Sequence, residues 1–169
     1  MSYGKDSNSL SKANIFKTAL EFTLKWEGKY VNHINDAGGA TNFGISLPYA
    51  EKLKLDKDKD GDTDAEDIKL LTIEDAVVLY KRDYWDANRC GDLPFPLSIC
   101  AFDSFVNHSP NAVRRMLKEA DGDWKRFIQA RKAYYGWLVK ENPRKNIFMR
   151  GWLNRANDLA KYCEIKTAL

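Results

Sequence analysis

The run "WEGKYVNHINDAGGATNFGIS", Trp26 to Ser46, decides how this chain is read. Upstream of it, Ile15, Phe16, Ala19, Leu20, Thr23 and Leu24 recur at the spacing of one helix face, and Ser11 supplies a start signal. Glu27 then precedes Gly28, and glycine readily takes the left-handed conformation that closes a helix. From Tyr30 to Ile45, Asn, Asp and Gly alternate with short apolar residues, the pattern of a small hairpin-like β excursion. The stretch therefore reads as helix, acid, tight loop. A carboxyl at a helix C-terminus meets the negative end of the helix dipole, which favours its protonated form. Partial desolvation by Trp26 or Tyr30 acts in the same direction. Asp36 sits instead among Asn35, Gly38 and Gly39, where backbone amides and water keep it charged. Two carboxyl groups held in opposite protonation states are the equipment of glycoside hydrolysis. On the residues alone, an ordinary surface acid at a helix end stays open as the competing reading.

Composition bounds the answer. The 169 residues suit one compact domain, or one with a closely packed appendage, and 44% hydrophobic content with five tryptophans provides a core. A net charge of +3 is too mild for a dedicated nucleic-acid binder. The start, "MSYGKDSNSLSKAN", lacks the basic region and apolar stretch of a secretory signal, and no apolar run is long enough to span a bilayer. Synthesis in the cytoplasm is the expectation. Cys90, Cys100 and Cys163 have no paired spacing and read as reduced thiols rather than a disulfide frame or zinc site.

Most of the remaining chain reads as helix. Pro48 fits the first turn of a short helix ending near Leu55, and Thr72 opens another toward Trp85 with Asp75 completing a capping box. Leu93-Pro94-Phe95-Pro96 leads into an almost wholly apolar segment, Leu97 to Val106, the candidate buried central helix. Helices are expected over 112–120, 124–140 and roughly 147–162, separated by Asp121-Gly122-Asp123 and Asn142-Pro143. The fold class is mainly α, a helical bundle with a small β-hairpin.

A second motif lies in "DKDKDGDTDAED", residues 56–67. Asp56, Asp58, Asp60, Asp64 and Asp67 fall on the ligand schedule of a calcium loop, with Gly61 at the bend and the Asp62 backbone carbonyl as a further oxygen. Calcium needs six or more hard oxygens, and acids packed this closely repel without a cation. Asp67 at the closing position is shorter than the glutamate of sensor loops, and Thr63 replaces the usual apolar residue. The expectation is a structural Ca2+ with no organic cofactor; a solvated acidic turn is the bland alternative.

The opening run resembles the signature of glycoside hydrolase family 108, lysozyme-like N-acetylmuramidases. The shared positions are Glu27, Gly28, Tyr30, Asn32, Asp36, Gly38, Gly39, Thr41, Gly44 and Ile45. "LTIEDAVVLYKRDYWDANRCGDLP" and "AFDSFVNHSP" are similar to further blocks of that family. "FIQARKAYYGWLVKENPRKNIFMRGWLNRANDL" resembles the peptidoglycan-binding segment that follows in such proteins. The chain departs from the pattern at Lys29, Ala37 and His108, where glycine, proline and glycine are expected. The resemblance implies an α+β lysozyme-like fold, a peptidoglycan substrate and Glu27 as catalytic acid. The order Glu27, Asp36, Thr41 is also similar to that of phage-type lysozymes, in which the aspartate and threonine hold the attacking water. The implied organisation is a flexible N-terminus over 1–10, a catalytic region over 11–110 with the calcium loop at 56–67, and a peptidoglycan-binding-like helical segment over 111–169.

Tyr30, Tyr84, Trp85 and Asn107 are the expected substrate contacts, although aromatics at helical spacing usually belong to the core. Tyr134, Tyr135, Trp137 and Trp152 carry the same two readings. Asp103 is expected to bond a helix end or an arginine, and Arg131 and Arg155 to meet either peptide carboxylates or an ordinary ion-pair partner. His108 either lines the cleft or is simply accommodated. The expected activity is cleavage of the MurNAc-GlcNAc β-1,4 bond by a monomer that engages glycan strands and neither nucleic acid nor membrane. The cell wall would be reached by holin-type release or another export. Two rivals stand beside it. A lytic transglycosylase needs one acid and leaves an anhydro-sugar, and a non-catalytic wall-binding or phage structural protein needs neither.

Overall fold

A computed structural model describes residues 12–28 and 39–168. The expected flexible start over 1–10 and the Ser11 start signal lie outside them, as do residues 29–38, which hold most of the expected β excursion from Tyr30 to Ile45. The described chain is mainly helical, with one two-stranded sheet. It divides into two compact units, one of residues 20–88 and the other of residues 89–169 with the chain before Leu20.

Helix α1 (Lys12–Glu27) ends where the sequence indicates, with Gly28 at φ +77°. In the unit of residues 20–88, β1 (Thr41–Asn42) pairs antiparallel with β2 (Ile45–Ser46), Thr41 facing Ser46 and Asn42 facing Ile45. Phe43 and Gly44 join them, both at positive φ (50° and 76°), which is the twist a two-residue hairpin requires. Leu47 N–H then returns to the Ala40 carbonyl at 2.9 Å and starts α2 (Leu47–Leu53). A short α3 (Ala65–Leu70) follows the acidic loop, and α4 (Ile73–Tyr80) opens with the expected Thr72–Asp75 capping box. After α4 the backbone widens into a π-helical turn over Lys81–Asp86, with Ala87 N–H reaching the Arg82 carbonyl at 3.2 Å. Leu20, Phe22, Ile45, Ile68, Leu79, Tyr80 and Trp85 form the buried interior of this unit.

The other unit is built from α5 (Leu97–Asn107), α6 (Pro110–Ala120), α7 (Trp124–Glu141) and α8 (Asn146–Thr167). Nine consecutive residues of α5, Leu97 to Phe105, are buried, which fits its apolar sequence. Phe16 meets Phe102 edge-on at 5.8 Å, and the Tyr162 hydroxyl donates to the Thr18 carbonyl at 2.9 Å. Helix α5 clusters with α6 and α7, whose buried faces cover its apolar surface. Cys90, Cys100 and Cys163 are buried thiols in no disulfide, and the 3.5 Å between the Cys100 and Cys163 sulfurs is well beyond a disulfide bond of about 2.05 Å. Among the described residues no helix is long and apolar enough to cross a membrane.

Candidate active site

Glu27 closes α1 and is half-buried. The hairpin turn lies directly on it. A Cβ built on Gly44 would stand 3.0 Å from both Cβ and Cγ of Glu27 and would overlap the Tyr80 hydroxyl. Buried Tyr80 donates to the Phe43 carbonyl at 3.0 Å, so α4 grips the same turn. Tyr84 stacks obliquely on Tyr80, ring centres 5.5 Å apart. Burial raises the Tyr84 pKa, and the Asp83 and Glu27 carboxylates push the same way. Thr41, the first residue of the hairpin, is half-buried.

Gly44→Ala therefore has two costs: a left-handed backbone, about 1–2 kcal/mol for an L-residue, and the displacement of Tyr80 or Glu27. We expect a thermal melt several degrees below wild type, since about 1 kcal/mol moves a chain of this size by 2–4 °C. An unchanged melt would mean that the turn does not press on Glu27 as described.

A network missed by sequence reasoning adjoins this site. Arg82 clamps Asp83 through Nε and Nη2, both at 2.7 Å, and the Tyr49 hydroxyl donates to the same carboxylate. Arg82 heads the causes that hold the Asp83 pKa down. No sequence signal links Tyr49 to Asp83, which become neighbours only when α2 meets the π-helical turn.

The other expected residues fall as follows. Tyr30 and Asp36, with Lys29 and Ala37, lie outside the described residues. Trp85 is a correction: it is 4% exposed and belongs to the core, so its ring is not offered to a sugar. The wider turn after Tyr80 leaves Tyr84 half-buried while directing Trp85 inward. Asn107 belongs to the other unit, where it is exposed and donates to the Asp103 carbonyl at 2.7 Å.

In the acidic loop, the oxygens of Asp56, Asp58 and Asp60 lie within 4.8 Å of one another, and so do those of Asp62, Asp64 and Asp67. Gly61, at φ +102°, donates its N–H to Asp56 at 3.1 Å. The Asp60 carboxylate leads the causes that raise Asp62, and desolvation followed by its acidic neighbours raises Asp58. Asp67 is buried and held low by N–H groups of Asp64 (2.8 Å) and Lys57 (2.5 Å). It also completes a capping box with Asp64 at the start of α3. The loop is tied on both sides. Lys57 pairs with Asp75 at 2.8 Å, and Asn42 donates to the Ile68 carbonyl of α3 at 3.0 Å.

In the other unit, Asp103 is fully buried between Arg131 and Arg155, each 2.6 Å away. Arg131 also donates to the Tyr135 hydroxyl at 2.5 Å. These arginines are ion-pair partners of Asp103, the plainer of their two readings. His108 lies 3.4 Å from the Tyr135 hydroxyl, and its pKa is lowered to about 4, first by burial and then by the charge of Arg131. Because the unfolded chain accepts this proton more readily, stability is fully present above about pH 6.5 and falls as pH drops toward about 4. A proton-detected titration should show His108 still neutral at pH 5. A midpoint near 6.5 would contradict its burial beside Arg131.

A family model described as glycosyl hydrolase 108 matches residues 20–109, more than half of the 169-residue chain, and the chain belongs to that family. The class is thus a glycoside hydrolase built mainly of helices. Among solved structures the chain is similar to SagA of Brucella abortus, with a TM-score of 0.68 and 26% identity over 89% of this chain and 94% of that one. No curated protein matches it. The matched span holds Glu27, the hairpin, the acidic loop and α5, whereas α7 and α8 lie beyond it.

Proposed function

We propose that the chain is an N-acetylmuramidase that hydrolyses the β-1,4 bond between MurNAc and GlcNAc in peptidoglycan. The observation that carries this reading is Glu27 at the close of α1, half-buried against the hairpin turn, with Tyr80 beside it. Membership of the glycosyl hydrolase 108 family supports it. Glu27 gives its proton to the glycosidic oxygen as the bond to the anomeric carbon breaks. Asp36, aided by Thr41, holds a water on the opposite face, takes its proton, and lets its oxygen bond to that carbon. Such an inverting route needs about 6.5–9.5 Å between the two carboxyl groups. Tyr30 and Tyr84 are the proposed sugar contacts, and the working form is a monomer acting on the wall after release.

The test is release of new reducing ends from purified sacculi. Wild type should release them and Asp36→Asn should be severely impaired. Full activity in Asp36→Asn would remove it from the handling of water, and no release by wild type would end the reading.

The same reading includes a structural calcium held by Asp56, Asp58, Asp60, Asp64 and Asp67 with the Asp62 carbonyl. Mutual repulsion within the loop suits a hard cation, and its carboxylates gather in two triplets, Asp56, Asp58 and Asp60, and Asp62, Asp64 and Asp67. The ion would stiffen the path from the loop through α3 and Asn42 to the hairpin that bears Thr41. At a hundredfold excess over the dissociation constant, binding to the folded state adds about 2.7 kcal/mol. Calcium should raise the melting temperature over that in chelator, and Asp58→Ala with Asp60→Ala should remove the difference. Equal wild-type melts in both conditions would reduce the loop to an acidic turn.

A further inference from the structure

Two of the three thiols meet inside the helical unit. Cys100 lies on α5 and Cys163 on α8, both fully buried, with their sulfurs 3.5 Å apart. They are 63 positions apart in sequence, so packing alone brings them together. Their surroundings hold the two helices in place. Arg155 of α8 reaches Asp103 of α5 at 2.6 Å, and the Tyr162 hydroxyl, next in sequence to Cys163, donates to the Thr18 carbonyl at 2.9 Å. Closing the 3.5 Å gap to a bond of about 2.05 Å takes a movement of about 1.5 Å, within reach of side-chain rotation and a small shift of α8. Burial raises the Cys100 pKa, and its hydrogen bond with Cys163 adds to the rise. In the closed fold this thiol is a poor nucleophile, because the thiolate is the reacting form. The mechanism proposed above uses neither sulfur.

We propose that Cys100 and Cys163 are a dithiol–disulfide site, which a small-molecule disulfide oxidises to a covalent staple between α5 and α8. The exchange balances in two steps. One cysteine thiolate attacks the reagent's sulfur–sulfur bond, forming a mixed disulfide and expelling one reagent thiolate. The other cysteine thiolate attacks the protein sulfur of that mixed disulfide, which forms the Cys100–Cys163 bond and expels the second. The protein gives up two protons and two electrons, and the reagent leaves as two thiols. Attack on the buried pair requires α8 to lift locally from α5, so the reaction is slow once the chain is folded. A chain made in a reducing compartment keeps its thiols, whereas one that works at a cell wall meets conditions in which the bond persists. The link closes a loop that contains α6 and α7, and long loops give a cross-link its largest effect on the unfolded chain. The site stands apart from the muramidase reading, since it needs neither Glu27 nor a glycan.

The experiment exposes the reduced full chain to oxidised glutathione, both folded and during refolding from denaturant, and counts thiols after unfolding. The count should fall from three to one, and the chain should become lighter by two hydrogens. Peptide mapping should find Cys100 joined to Cys163. The oxidised chain should melt roughly 5–15 °C above the reduced one, and dithiothreitol should abolish the difference. Cys163→Ala should lose both the link and the shift, whereas Cys90→Ala should keep them. Three thiols surviving both treatments would overturn the site, as would a link that includes Cys90 or a stable glutathione adduct as the end product. A Cys100–Cys163 bond that fails to raise the melting temperature would overturn the staple.

Discussion

Glu27→Gln is expected to lower the rate of peptidoglycan hydrolysis by about 10²–10⁴-fold, the contribution of a positioned general acid. The amide has the same shape and keeps the contact with the hairpin turn, where the Glu27 Cβ and Cγ pack close to Gly44. Under the proposed mechanism, what disappears is the acidic proton for the leaving oxygen. The melting temperature should therefore stay within about 2 °C of wild type, as for a change of less than about 1 kcal/mol. Rates from sacculi clearing and a thermal melt on the same preparation make the comparison. A variant that keeps most of its activity would remove Glu27 from the chemistry. One that loses activity together with its fold would make Glu27 a structural residue.

The largest loss of stability is expected from Asp103→Asn. Asp103 is fully buried, with Arg131 also fully buried and Arg155 nearly so, and both arginines pair with it at 2.6 Å. Burial pushes the Asp103 pKa up, but the two guanidinium groups prevail and hold it below the usual carboxylate range. Removing the negative charge strands buried positive charge, which costs about 3–5 kcal/mol. At 2–4 °C per kcal/mol, the melting temperature should fall by roughly 10 °C. The pH dependence has a definite sign. Because the folded pKa is depressed, the stabilisation is present above the unfolded carboxylate value and is lost as pH falls through the folded one. The variant's deficit should therefore shrink in strong acid. A change below about 1 kcal/mol at neutral pH would show that the cluster is replaceable by neutral hydrogen bonds.

Local signals carried much of the fold. Gly28 marked the end of α1, Thr72 and Asp75 marked the start of α4, and the largely apolar run from Leu97 marked α5, each because the physics sits within a few residues. The π-helical turn at Lys81–Asp86 was not legible, since a helix reading assumes one constant period. On that turn Tyr84 stays half-buried while its neighbour Trp85 is core. Helix α3 was hidden for a different reason. Asp64 and Asp67 read as cation ligands, and the same two side chains form the capping box that starts it. The Asp103–Arg131–Arg155 cluster draws on three helices, its partners 28 and 52 positions from Asp103, so no window of sequence contains it. Within the candidate site, Glu27 was legible because a helix end, an acid and a glycine turn are adjacent in sequence. Tyr49, Asp83 and the Gly44 contact depend on tertiary packing.

Mass spectrometry of the soluble products from purified peptidoglycan tests the central claim most directly. A muramidase leaves disaccharide peptides with an intact reducing MurNAc end, each heavier by one water than the anhydro form. We predict these as the main wild-type products, and their disappearance with Glu27→Gln. Anhydromuramic ends as the main product would contradict the hydrolytic mechanism and the water-positioning role of Asp36 and Thr41.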